Sequence, residues 1–341
     1  MVSFKCYYPT KADYIFSAFI VFIASIANAD PFVTYVYLKN VEGKLVPSYV
    51  ANDLENTLHQ QGFVYPTQTI KPLNFHFSPI ISFDNNANGG NPQKPLKIGN
   101  LIFEGDPQRA KRSDLMVGMS LGANLRASTG WGKYIDLNAN YDFVHALNSY
   151  DKATNKAVSI CSVNHYKDWN YLNFCWSNSE LNKTFQNTNE DNKSVTYSKF
   201  FTLSDDLFAE TKGSVNFLTT NTYNQKIYTA SVRAKYKGTT FDVSKSVGEK
   251  PEEKNTHALN NSISVRATFP LLNKEFSLRL KTTEYMGSTL LGLSRRDVAT
   301  NVSFAYPFTR NVIASLGYLK NESSLDYYTD EYPTLRFTFV D

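Results

Sequence analysis

Much that would mark a catalyst or a helical membrane protein is missing from this chain. It has five histidines and no HExxH, CxxC, Walker A or G-x-G-x-x-G pattern, so the usual frames for zinc, redox, phosphate and dinucleotide chemistry are absent. No nucleophile, base and acid converge, and the expectation is no enzyme, with no catalytic residue, no metal and no cofactor. The net charge is +4, yet no basic tract or RNA-binding signature accompanies it, which argues against a nucleic-acid partner. Beyond the first 29 residues no uninterrupted apolar stretch is long enough for a transmembrane helix. The mean hydropathy of −0.36 is too polar for an all-helical membrane protein. Cysteine is scarce as well. Of three, Cys6 precedes an apolar run without a lipobox, which leaves Cys161 and Cys175.

What is present begins with an export signal. Lys5 and Lys11 lie in a polar start, Ile15 to Ile26 is apolar, and Ala27-Asn28-Ala29 offers small residues where a signal peptidase reads. Cleavage before Asp30 is expected, giving a signal peptide over 1–29. Residues 30–71 form a second region, a short periplasmic or plug segment with one helix. Phe32 to Leu38 reads as a strand. Ser48 to Gln61 reads as a helix, with Ser48 as N-cap, Gly62 at C′, and Val50, Leu54 and Leu58 on one face. Two readings stay open for it: a plug or docking element, or a short helix closing one mouth of a barrel built by the later residues.

From residue 72 onward the dominant signal is alternation. Leu115, Val117, Met119, Leu121, Ala123 and Leu125 are apolar, and the residues between them are small or polar. A period of two puts these sets on opposite faces of a strand. About fourteen such segments recur, many near ten residues, the length of a tilted strand crossing a bilayer. The expected fold over 72–341 is all-β: an antiparallel transmembrane β-barrel with a short N-terminal helix. Connections counted back from the C-terminus alternate long and short, as in a barrel with surface loops opposite periplasmic turns. Only 221–225 is too short for the scheme.

One face of these strands is lipid-like, as in Ile135, Leu137, Ala139, Tyr141 and Phe143. The other carries Asn124, Arg126, Asp136, Asn138, Asn140, Asp142, Arg233, Arg266, Arg279, Lys281 and Arg336, the candidate lumen lining. A dry core does not hold so many charges; a wet lumen does. Two roles stay open for the arginines: a ring attracting anions, or pairing with Asp136, Asp142 and Asp242 to tie strands together. Lys245 falls on the lipid face. Cys161 and Cys175 flank a predicted turn and face each other across a hairpin, so an oxidising periplasm would bond them.

Two motif matches are set aside. Gly118-Met119-Ser120-Leu121-Gly122 fits the nucleophile elbow, but it lies inside an alternating strand rather than a strand-to-helix turn. Asp84 to Gly89 fits the first half of a calcium loop, but Pro95 stands where the bidentate Glu belongs.

Ser78 to Pro92 (SPIISFDNNANGGNP) runs from a strand into an Asp-Asn-rich loop. Near the end, Ser294-Arg295-Arg296-Asp297 precedes two strands, and Asn321 to Tyr328 (NESSLDYY) precedes the last. On these stretches the chain resembles the C-terminal barrel of the surface lipoprotein assembly modifiers. That resemblance implies a 14-stranded barrel that helps move a lipoprotein client to the surface, with outer-membrane lipid and the barrel assembly machinery as further partners. The tetratricopeptide repeats that precede the barrel in that family have no counterpart in residues 30–71. The alternatives are a passive, mildly anion-preferring channel and a secreted soluble β-rich binding protein.

Overall fold

The structure, a computed structural model, describes residues 30–42, 48–63, 73–91, 95–98, 100–103, 106–253, 256–272, 274–290, 292–309 and 312–339. The expected leader, residues 1–29, lies outside the described residues, as do the side chains of Ser48 and Val50.

Two helices, α1 (Pro31–Val41) and α2 (Ser48–Gln60), precede β1 (Asn74–Asp84). A hairpin of β2 (Leu96–Ile98) and β3 (Leu101–Phe103) follows. Next come β4 (Asp114–Gly130), β5 (Lys133–Ala146), β6 (Lys152–His165), β7 (Asn170–Lys183), β8 (Gln186–Ser204) and β9 (Leu207–Thr220). The chain ends with β10 (Asn224–Tyr236), β11 (Thr239–Gly248), β12 (Ala258–Leu271), β13 (Lys274–Leu290), β14 (Leu293–Pro307), β15 (Val312–Ser323) and β16 (Asp330–Phe339). Apart from β2 and β3, the strands pair antiparallel with their chain neighbours, and β1 pairs with both β4 and β16, closing a barrel of fourteen strands. All fourteen expected strands are present.

Closure is what the lipid-facing pattern demands. A strand edge in hydrocarbon would leave a row of amides without partners, so only a closed sheet can stand there. The outer face is apolar over a broad belt: Val232 is 50% exposed and Leu316 57% exposed, with Leu121, Phe241, Val265 and Phe304 among their exposed companions. Aromatics flank this belt. Phe269, Phe276 and Phe304 pack as tilted pairs towards the short turns, with ring centres 5.0 and 6.1 Å apart. Towards the opposite mouth, Tyr228 and Tyr318 donate their hydroxyls to Glu249 and Glu331. Rings with an apolar body and a wet tip suit a membrane interface. Lys245 does lie on this outer face, level with Ala230 and Ile263; its long stem can carry the ammonium towards the interface.

β1 begins, and β16 ends, at the mouth bounded by the tight turns 131–132, 205–206 and 237–238. The other mouth is where the connections from β1 to β4, β5 to β6, β11 to β12 and β15 to β16 leave the wall. The expected long loop over 286–296 is instead a strand hairpin. A bulge between Met286 and Ser288, at Gly287, lets β13 and β14 run on and pair as far as Leu290 and Leu293, with Gly292 left-handed before β14. Likewise β7 and β8 meet at 184–185, and 221–223 is short as read from the sequence.

The expected strand over 32–38 is α1. Asp30 accepts a hydrogen bond from the Phe32 N–H, 3.0 Å away, and Pro31 opens the helix. A carboxylate N-cap followed by proline at N1 starts a helix, and this outweighs the β-leaning run of Val, Thr, Tyr and Phe. The segment therefore holds two helices rather than one.

If the belt meets lipid, Leu280→Arg should destabilise the barrel by about 2–4 kcal/mol, while Ser303→Lys on the inward face of β14 should fold normally. Urea titration of refolded protein in detergent checks this. Equal losses from both changes would contradict the assignment of faces.

Candidate functional site

The inward positions of the barrel are dominated by small polar residues, and two inserts are lodged against them. The first is the N-terminal segment. Phe32, Tyr35 and Val36 of α1 are buried against Tyr134, Val163, Tyr171, Phe200 and Phe208, inward residues of β5 to β9. Tyr35 bonds to Thr202 through its hydroxyl at 2.7 Å, and its ring lies 5.2 Å from that of Trp169. Burying such side chains contributes about 1.5–3 kcal/mol each. The end of α2 docks at the same mouth. Gly62 adopts a left-handed φ of 77° and receives the Gly132 N–H of the β4–β5 turn, and a Cβ there would meet Lys133 O at 2.7 Å. Phe63 packs on His165 and Trp169.

The second insert is the turn after β1, which folds inward at the opposite mouth. Ala87 is fully buried among Ile80, Met116, Val144, Ala146, Ala153 and Leu181. Asn88 receives the Arg112 and Gly90 N–H groups, and its amide donates to Ala110 O at 2.6 Å. Gly89 (φ 69°) presses on Gln186, and the Phe185 N–H bonds to Asn88 O, so the turn reaches from β1 to the β7–β8 turn. This is the Asp-Asn-rich stretch that half-matched a calcium loop. Lys183 Nζ lies 2.6 Å from Asp84 and bonds to Asn86 O, so a lysine ammonium occupies the place of a cation.

The eleven lumen candidates all fall on the inward face, as shown by the registers Asn124↔Asn138, Arg126↔Asp136, Gly122↔Asn140, Ser120↔Asp142, Arg233↔Asp242, Arg266↔Arg279, Ser264↔Lys281 and Ser315↔Arg336. Their roles divide. Arg126 is 1% exposed; it grips Asp136 through two bonds of 2.6 Å and lies 4.0 Å from the centre of the Tyr134 ring. Asp142 accepts from Ser120, Asn140 and Asn155. Arg233 is held by Asp242, Asp30 and Glu210. The strand-tying role thus holds for Arg126 and Arg233. Asp142 is met by hydroxyl and amide donors, and the Arg336 charge acts on it as well. Ser120, the rejected elbow serine, is one of those donors.

Arg233, Arg266 and Arg279 belong to one transverse row. Read around the wall it runs Glu210, Arg233, Asp242, Arg266, Arg279, Ser303, Gly317, Thr334. The charges alternate and then end in two adjacent arginines. Arg279 donates to Ser264 at 3.2 Å, and Lys281 faces the lumen two residues further along β13. Beyond them the row turns small and uncharged. Cys161 and Cys175 stand opposite each other on the inward faces of β6 and β7 and are bonded.

Sequence reading missed Asp30, Glu210 and Lys212. Asp30-Pro31 carried a helix-start signal. The other two alternate inward with Phe208, Ser214 and Asn216, the same rule that found the rest.

No protein-family model and no curated protein matches this chain. Among solved structures it is similar to the KdgM porin, with 9% identity and a TM-score of 0.32 over 56% of this chain and 98% of that one. It is also similar to OpdQ of Pseudomonas aeruginosa, with 8% identity and a TM-score of 0.40 over 78% of this chain and 96% of that one. CdiB from Acinetobacter baumannii shows 11% identity and a TM-score of 0.40 over 89% of this chain and 71% of that one. The barrel assignment rests on this chain's own strand pairing, and these likenesses say nothing of what it handles.

The seat of α1 should be acid-sensitive. Burial opposes the charge on Asp30, but Arg233, Lys212 and the Phe32 N–H outweigh it and hold the carboxyl below its ordinary value. A carboxyl lowered by folding stabilises fully above its unfolded pKa, about 3.9, and that stabilisation is lost as pH falls through the folded value. Emission from Trp169, in contact with Tyr35 and Phe63, should therefore change in a step below about pH 4. Asp30→Asn should abolish the step; a step that persists would locate it elsewhere.

Proposed function

We propose that this chain is an integral outer-membrane barrel of a Gram-negative cell, serving as a plugged, anion-preferring diffusion channel. The belt of exposed apolar side chains supports the membrane part of this reading. The observation that carries the channel part is the pair Arg266 and Arg279, side by side with Lys281 close along the same face. They sit on β12 and β13, whereas α1 packs on β5 to β10 and the β1–β4 turn packs on β1 and β4 to β7. Cations grouped on a wetted wall favour anions within a pore. The wall around them, Ser264, Ser277, Asn301, Ser303 and Gly317, keeps side chains short.

Help in exporting or displaying a lipoprotein client is the role the family resemblance implies. Among the described residues, no domain beyond the barrel and its two N-terminal helices stands ready to hold a client. The two roles separate by experiment. In a planar bilayer with a salt gradient, the protein should give stable steps whose reversal potential favours anions. Arg279→Gln with Lys281→Gln should move that potential towards neutrality without altering heat-modifiable gel mobility. Absence of conductance, with loss of a surface lipoprotein on gene deletion and unchanged solute uptake, would replace the channel with the export role.

A further inference from the structure

The seat of α1 contains an acceptor short of a donor. Glu210, on β9, is 2% exposed, and its Oε2 has no hydrogen bond; its nearest cation is Arg233 Nη1 at 3.4 Å. The other carboxylate oxygen is served by Lys212 at 3.0 Å. That same Nη1 lies 2.5 Å from Asp30, so Asp30 and Glu210 flank one guanidinium nitrogen. Arg233 is divided further, since its Nε goes to Asp242 at 2.7 Å, and Asp242 also stands beside Arg266 in register. Nearby, Arg126 is held by Asp136 through its Nε and Nη2. A buried carboxylate oxygen without a donor is costly, and a guanidinium shared among three carboxylates leaves room for a further cation.

Asp30 is also the residue at which the sequence predicts the mature chain to begin. Hydrolysis of the Ala29–Asp30 amide by a leader peptidase adds one water across the bond. Ala29 leaves as a carboxylate, and Asp30 keeps an α-ammonium. Before that step Asp30 has one amide N–H and no charge on its main chain. After it, three donors and a positive charge sit on a residue already 5% exposed in the same cluster.

We propose that the α-ammonium of Asp30, made by leader cleavage, completes Glu210, and that α1 seats more firmly in the processed chain than in any chain extended ahead of Asp30. Processing then does more than release the protein: it makes the group that locks the mouth. This rests on the position of α1 and not on the channel reading.

Two measurements test it. Intact mass of protein purified from outer membranes should show a chain beginning at Asp30; any other start overturns the proposal. Val36→Cys, buried in α1, can then report seating in refolded protein with Cys161 and Cys175 replaced by serine. One version is released by a protease so that it begins at Asp30, and the other carries Gly-Ser-Gly ahead of it. Heat-modifiable mobility confirms that both barrels are closed. Maleimide should label the extended version at least about tenfold faster, a lower bound for a buried charge that loses its partner. Glu210→Gln should speed labelling of the Asp30-first chain and leave the extended chain unchanged. Equal labelling of the two versions, or an equal effect of Glu210→Gln on both, would overturn the proposal. Labelling needs no ion flow, so a barrel that conducts nothing can still pass.

Discussion

A peptide group in hydrocarbon has no water to bond to, and each one left unpaired costs several kcal/mol. The rest of this structure depends on meeting that constraint. β1 bonds on one side to β4 and on the other to β16, so the sheet has no edge. Closure sorts every strand into an outward and an inward set. Lipid selects the outward one, and the inward one is left to serine, asparagine and paired charges.

A polar interior sets its own conditions. Charges withdrawn from bulk water must be answered nearby, and the wall answers them in register. Asp136 meets Arg126, Asp242 meets Arg233, and Lys183 reaches from β7 to Asp84 on β1. The inserts use the same two devices. α1 is fastened by a patch of aromatic rings and one ionic contact, and the turn after β1 by Ala87 in a small dry patch and by amide side chains. Neither device needs a ligand; both are rearrangements of what alternation already put inside.

The barrel was legible in the sequence because a period of two is a strong signal and lipid leaves few exceptions to it, Lys245 among them. Strand number, faces and the Cys161–Cys175 pairing all follow from that one regularity. Where the surroundings were not lipid, reading was poorer. Residues 32–38 look like a strand by composition, and only Asp30 and Pro31 reveal the helix. β8 extends through Asn187, Asn189 and Asp191, a stretch without apolar positions, since this end of the strand projects past the belt. That the Asp-Asn-rich turn folds inward onto Lys183 was out of reach, because the partners are 99 residues apart and no local pattern links them.

Both inserts rest on the side of the barrel formed by β1 and β4 to β10, from opposite ends. Division of labour around the circumference is the consequence. That arc is committed: a change in Tyr134, Phe200 or Met116 disturbs an insert as well as a strand. The arc from β12 to β15 carries short side chains and the adjacent arginines, with no insert packed on its mid-height among the described residues. Descendants of this chain can therefore exchange residues such as Asn301, Ser303 or Ser315 and acquire new solute preferences while the scaffold that keeps the sheet closed is inherited intact.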